Sequence, residues 1–206
     1  KVVTSPAGAT SSTRIDGFTI RNGEAYAGNG GGVYCYNSSP TITNNIIRDS
    51  GAGDYGGGIY CYLSSAVITN NVFLNNGGSD GGGAIYCTQS SPTIVGNTMR
   101  SNQSKDNGYG GGIACLSGSA PLIMANLIVG NVASGVGGGI YCHQSNPIVV
   151  SNVITGNQAS KDGGGIYCSS ASPTLVNNTI IRNEALEDGG GISCNGASPL
   201  IANTII

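Results

Sequence analysis

The sequence repeats with a period of about 26 residues, and this period constrains the fold more than any other feature. Each of the seven cysteines ends a motif whose clearest copy is Gly-Gly-Gly-Ile-Tyr-Cys at residues 56–61. Successive cysteines are separated by 26, 26, 28, 27, 26 and 26 residues. A fixed period predicts a stack of similar units, each burying its apolar face against its neighbours. The cysteines are Cys35, Cys61, Cys87, Cys115, Cys142, Cys168 and Cys194.

The apolar segments within one repeat are too short for ordinary helices. Residues 59–61, residues 41–43 and a segment centred on Ile47 are typical of them, and turn-favouring Pro and Asn lie between them. The two extra residues of the longest spacing fall in a polar stretch, 103–109, so the apolar segments keep their register. Three short strands per repeat predict an all-β fold, a right-handed single-stranded parallel β-helix with about seven to eight coils.

We expect residues 1–206 to form one β-helix domain that is a segment of a longer solenoid. A β-propeller is the main alternative, but its blades need about 40 residues. A β-sandwich does not repeat its strands in identical phase.

The repeats resemble those of the pectin-lyase-like superfamily of parallel β-helices. Residues 73–76 (Phe-Leu-Asn-Asn) followed by 82–85 (Gly-Gly-Ala-Ile) are similar to the paired FxxN and GGA(I/L/V) motifs of polymorphic outer-membrane autotransporter passengers. The resemblance implies a β-helix and a secreted or cell-surface protein. Enzymes of the superfamily combine acidic residues with a catalytic Arg, Lys or His. The single histidine, His143, has no acidic partner in the sequence, which favours a non-enzymatic protein.

Equivalent residues of successive coils stack into columns. An inward asparagine at a corner can hydrogen-bond the backbone and the asparagines above and below it. This predicts a structural ladder of Asn45, Asn71, Asn97, Asn126, Asn152 and Asn178.

The cysteine column has the same strand parity as the buried isoleucines, so we expect it to point inward. In-register side chains would hold neighbouring Cβ atoms about 4.8 Å apart. A disulfide prefers about 3.8 Å. We therefore predict mostly buried free thiols that act as small hydrophobes.

The residues beside the cysteines form an outward column rich in tyrosine. An exposed aromatic strip can bind sugar rings or a partner surface. Alternatively, aromatic pairs between strands only stabilise the sheet. The candidate surface comprises Tyr34, Tyr36, Tyr60, Tyr62, Tyr86, Tyr141, His143 and Tyr167.

Acidic residues precede the glycine triplets and give weak calcium candidates. Calcium takes six to eight oxygen ligands, and the acids are not in phase along the repeat. Alternatively, these acidic residues only keep the loops soluble. These candidates are Asp54, Asp80, Asp162 and Asp188, and we predict no confident metal site and no cofactor.

The amino-acid composition restricts the classes of partner that we expect for this protein. Only 9% of residues are charged, the net charge is −2, and no basic cluster is present for nucleic acid. No apolar run approaches the ~20 residues of a membrane span. We expect an extracellular or cell-surface structural or adhesive rod that associates with itself, end to end as a filament or laterally. The alternative is a carbohydrate-binding or carbohydrate-active β-helix that uses the tyrosine column.

Overall fold

The computed structural model describes residues 1–206 and consists of short parallel strands wound into eight coils, without a helix. Each strand pairs with the equivalent strand one coil away, which builds four parallel sheets. The predicted right-handed parallel β-helix with about 26 residues per coil is confirmed. The rod is about 40 Å long, at about 4.8 Å per coil.

We number the strands in chain order and name the sheets A to D in the order in which the chain visits them. Sheet A contains β1 (Val3–Thr4), β5 (Val33–Tyr36), β9 (Ile59–Tyr62), β13 (Ile85–Thr88), β17 (Ile113–Leu116), β21 (Ile140–His143), β25 (Ile166–Ser169) and β29 (Ile192–Asn195). Sheet B contains β2 (Arg14–Asp16), β6 (Thr41–Thr43), β10 (Val67–Thr69), β14 (Thr93–Val95), β18 (Leu122–Met124), β22 (Ile148–Val150), β26 (Thr174–Val176) and β30 (Leu200–Ala202).

Sheets C and D have seven strands each. Sheet C contains β3 (Thr19–Arg21), β7 (Ile46–Arg48), β11 (Val72–Leu74), β15 (Thr98–Arg100), β19 (Leu127–Val129), β23 (Val153–Thr155) and β27 (Thr179–Ile181). Sheet D contains β4 (Glu24–Ala25), β8 (Gly51–Ala52), β12 (Gly77–Gly78), β16 (Gln103–Ser104), β20 (Val132–Ala133), β24 (Gln158–Ala159) and β28 (Glu184–Ala185).

A fourth strand, present in seven of the eight coils, corrects the expectation of three strands per repeat. Sheet D strands are two residues long, and one of them, β12, consists of glycine alone. Two residues show no alternation of apolar and polar side chains, so the sequence carries no periodic signal for them.

The interior of the coils is a single apolar core of 28 buried residues. Equivalent residues stack in register, as when Ile59 pairs with Ile85 and Cys61 with Cys87. Ile42 in sheet B, Ile47 in sheet C and Ile59 in sheet A are all fully buried. Because every coil sends side chains from the same positions inward, the core is continuous along the rod.

Two kinds of corner turn the chain between sheets. Between sheets B and C the first residue of an asparagine pair takes a left-handed backbone, with φ of 55° at both Asn44 and Asn70. Asparagine tolerates this conformation better than most residues. Before sheet A the glycine triplet makes the corner. Gly56 has φ +70°, and a Cβ on Gly57 would lie 2.5 Å from the backbone of Gly77.

Candidate functional site

The inward asparagines form a continuous hydrogen-bonded ladder along one corner. Asn71 Nδ2 donates to the carbonyl oxygens of Ile42 at 2.9 Å and Thr69 at 3.0 Å, and to Oδ1 of Asn97 at 3.0 Å. Its own Oδ1 accepts from the backbone and side-chain nitrogens of Asn45. Each side chain therefore binds its own coil and both neighbouring coils.

A second asparagine column has the same geometry at the corner between sheets C and D. Asn102 Nδ2 donates to Asn131 Oδ1 at 3.0 Å and to the Phe73 carbonyl at 3.2 Å. The Oδ1 atom of Asn102 accepts from the backbone nitrogen of Asn76 at 3.0 Å. The two ladders place hydrogen bonds at both ends of sheet C, so they stabilise the coils rather than present chemistry to solvent.

The cysteine column points into the core. Cys35, Cys61, Cys87, Cys115, Cys142 and Cys168 are fully buried, Cys194 is exposed, and all seven are free thiols. Hydrogen bonding to a neighbouring thiol and burial both raise the pKa of Cys35, Cys87 and Cys142. Protonated buried thiols are poor nucleophiles, since the thiolate is the reactive form.

The outward tyrosines of sheet A stack ring on ring along the rod. Ring centroids are 5.4 Å apart for Tyr34 and Tyr60, and 5.5 Å apart for Tyr60 and Tyr86. Tyr141 and Tyr167 are 5.9 Å apart, with ring planes within 4° of parallel. This stacking covers the ring faces, so mainly ring edges point away from the sheet.

The expected exposure of this column is wrong for four of its tyrosines. Tyr60, Tyr86, Tyr141 and Tyr167 are only 8%, 5%, 9% and 8% exposed. The loops that precede sheet A fold over the rings and form a second apolar cluster outside the coil. Burial is the main cause that raises the pKa of Tyr60 and of Tyr141 to about 12.

Two loop tyrosines that the repeat pattern did not single out build this cover. The Tyr55 ring lies 4.4 Å from that of Tyr86, and the Tyr109 ring lies 4.5 Å from that of Tyr141. Tyr109 is the last residue of the 103–109 stretch and packs where Ala114 interrupts the tyrosine column. A longer loop in the same coil whose strand lacks the tyrosine is the sequence signal that could have identified Tyr109.

The part of this tyrosine column that reaches solvent is smaller than expected and lies in the second and third coils. Tyr36 is 49% exposed and Tyr62 and Tyr34 are partly buried. The Tyr36 and Tyr62 rings stack at 5.3 Å, and the Lys1 ammonium lies 3.9 Å from the Tyr34 ring centre.

The other predicted residue of this surface, His143, stacks on Tyr141 at 6.2 Å. Its Nδ1 atom is buried without a hydrogen-bond partner. The structure therefore places no carboxylate on this ring atom.

The four aspartates form two separate pairs. The Asp80 backbone nitrogen donates to the Asp54 carbonyl oxygen, and the Asp188 backbone nitrogen donates to Asp162 Oδ1, both at 2.9 Å. No group of three or more His, Cys, Asp or Glu side chains lies close enough to hold a metal ion. The calcium candidates are thus not assembled into one site.

A groove lies over sheet D, a different surface from the tyrosine column. It has a volume of about 450 Å³ and is lined mainly by polar residues and glycine. Sequence reasoning missed this groove, because its floor consists of the short strands β8 and β12. No helix that could cross a membrane is present.

Comparison with known proteins agrees with this architecture. The sequence matches the family model for a right-handed β-helix region over residues 6–99 and again over residues 31–206. A search of curated protein sequences finds no match. The two matched ranges together span almost the whole chain, and the chain therefore belongs to the right-handed β-helix family.

Proposed function

We propose that this protein is a non-enzymatic structural or adhesive rod outside the cell or at its surface. The observation that carries the proposal is the regularity of the interior. Both asparagine ladders run from coil to coil without interruption, from Asn45 to Asn178 and from Asn76 to Asn183. A catalytic site breaks a repeat locally to bring acid and base together, and no coil is distorted in this way.

The rod also has the surface chemistry of an inert scaffold. Only 9% of its residues are charged, and two ion pairs are present, Arg14 with Asp16 and Arg48 with Asp49. Its stability therefore depends on stacked apolar side chains and hydrogen bonds, which salt hardly screens. This suits a scaffold that must work in media of varying ionic strength.

End-to-end association is the second part of the proposal. Every coil stacks on the next through the same backbone hydrogen bonds and the same columns, so one coil surface complements another. Ile201 belongs to the column of the fully buried Leu175 but is 42% exposed, and Ile205 is 64% exposed. A further coil, from the same chain or from a second copy, would cover these side chains and pair with the open parallel strands.

The test is electron microscopy together with light scattering over a range of protein concentrations. Filaments or concentration-dependent end-to-end oligomers are expected for the wild-type protein. Ile201→Asp places a charge on the coil surface and should abolish them. Ile181→Asp is the matched control, because Ile181 is similarly exposed, at 36%, but belongs to sheet C. Compact monomers of the wild type at all concentrations would overturn the proposed association.

A further inference from the structure

The groove over sheet D arises from a gap in one column of outward side chains. This column consists of the first residues of the sheet D strands. Two successive coils have glycine at this position, Gly51 and Gly77. The coil before them carries Glu24 there, and the coil after them carries Gln103. The two missing side chains leave the groove of about 450 Å³, which lies within the range of about 300–1,000 Å³ typical of small-molecule sites.

The fold does not require glycine at either position. A Cβ on Gly51 would meet no atom closer than 3.9 Å, and one on Gly77 none closer than 3.7 Å. Neither residue has a left-handed backbone. Gly57 differs, because a side chain there would collide with backbone at 2.5 Å. The space over sheet D is therefore not a by-product of backbone packing.

The walls of the groove carry hydrogen-bonding groups of several kinds. On one rim, Asn75 Nδ2 donates to Asp49 Oδ1 at 3.4 Å, and Arg48 Nη1 lies 3.4 Å from Asp49 Oδ2. Lys105 and Gln103 lie at the other end. These contacts hold the Asp49 carboxylate in place while it keeps lone pairs for a further donor.

An aromatic ring completes the lining at the Glu24 end. Tyr26 is 88% exposed and belongs to the lining of the groove. The neighbouring Glu24 carboxylate raises the pKa of the Tyr26 hydroxyl. Unlike the rings of sheet A, Tyr26 is stacked on no other aromatic ring, so its face is free to pack against a ligand.

We propose that this groove, lined by Glu24, Tyr26, Asp49, Asn75, Gln103 and Lys105, binds a neutral saccharide of one or two sugar rings. Only three of its 14 lining residues are hydrophobic, which disfavours an apolar ligand. Carboxylates and an ammonium group together disfavour a strongly charged ligand, since either sign meets a like charge. Sugar hydroxyls both donate and accept, as these side chains require, and the apolar face of a sugar ring packs on an aromatic face.

Filling the gap tests the proposal with little risk to the fold. Gly77→Gln introduces the side chain that the next coil carries at Gln103, into space that is open. Val132→Gln is the matched control, because it introduces the same side chain in the same column outside the groove. Tyr26→Ala removes the ring without touching the coil.

The probes are immobilised neutral oligosaccharides of glucose, galactose, mannose, xylose and N-acetylglucosamine, followed by calorimetric titration with the best soluble binder. Gly77→Gln and Tyr26→Ala should each weaken binding at least about tenfold, and Val132→Gln should leave it unchanged. Absence of binding to every neutral probe, or binding that Gly77→Gln does not weaken, would overturn the proposal. The Ile201→Asp variant should bind the saccharide as the wild type does. Comparing the two titrations therefore separates saccharide binding from end-to-end association.

Discussion

At the scale of single residues, the buried asparagines do what no apolar residue can do at the same positions. The corner of a coil leaves backbone amides and carbonyls pointing inward, where water does not reach. An unsatisfied buried polar group costs about 1–3 kcal/mol. Asn71 satisfies two carbonyls and the backbone nitrogen of Asn45, and its amide fits because it carries donors and an acceptor.

We predict that Asn102→Ala lowers the free energy of unfolding by about 3 kcal/mol. The substitution removes donors to Phe73 O and Asn131 Oδ1 and the acceptor for the Asn76 backbone nitrogen. Urea denaturation measures the change, and Gln103→Ala at the exposed neighbouring residue is the control, with an effect within about 0.5 kcal/mol. Equal effects of the two substitutions would show that the ladder contributes nothing.

The cysteine column predicts how many thiols react in the native protein and how many react after unfolding. In the native protein a thiol reagent should modify Cys194 alone, because the other six thiols are fully buried. After unfolding in guanidinium under reducing conditions all seven should react. Mass spectrometry of the alkylated protein gives both numbers, and rapid native labelling of Cys87 or Cys115 in the centre of the rod would contradict the inward column.

At the scale of elements, the aromatic cover of sheet A depends on a compensation between two coils. Ala114 stands where neighbouring coils carry Tyr86 and Tyr141, and Tyr109 from the longer preceding loop packs into the space. A residue in a loop therefore replaces a residue in a strand. The cluster stays continuous although the strand column does not.

We expect Tyr109→Ala to destabilise the protein by about 2 kcal/mol through lost packing. Ala114→Tyr alone should also destabilise, by about 1–3 kcal/mol, because the space is already filled. The double substitution should recover most of the loss, with a coupling free energy above about 1 kcal/mol in a double-mutant cycle. Additive effects would show that the two residues do not share one site.

These elements also show how far the sequence predicts the structure. Strand parity was sufficient to place the cysteines inward and the tyrosines outward, because alternation along a strand is a local property. It was not sufficient for the exposure of Tyr86, which depends on Tyr55 in a loop of another coil. The groove was equally hidden, since Gly51 and Gly77 become a gap only when Glu24 and Gln103 are stacked beside them.

At the scale of the whole molecule, the rod is a one-dimensional stack in which each coil contacts only its neighbours. Stability in such a stack is the sum of weak intrinsic terms and strong interfaces between coils. The interfaces here are nearly identical along the rod, because the same columns continue from one coil to the next. We therefore expect the central coils to unfold together and not one at a time.

Hydrogen exchange followed by mass spectrometry tests this claim most directly. We expect the sheet A strands from β9 (Ile59–Tyr62) to β21 (Ile140–His143) to share one slow exchange rate that is set by global unfolding. Residues 26–29, in an outer loop, should exchange much faster. If neighbouring central strands such as β13 and β17 instead differ widely in protection, or exchange within seconds, the protein is not the continuous stack of coils described above.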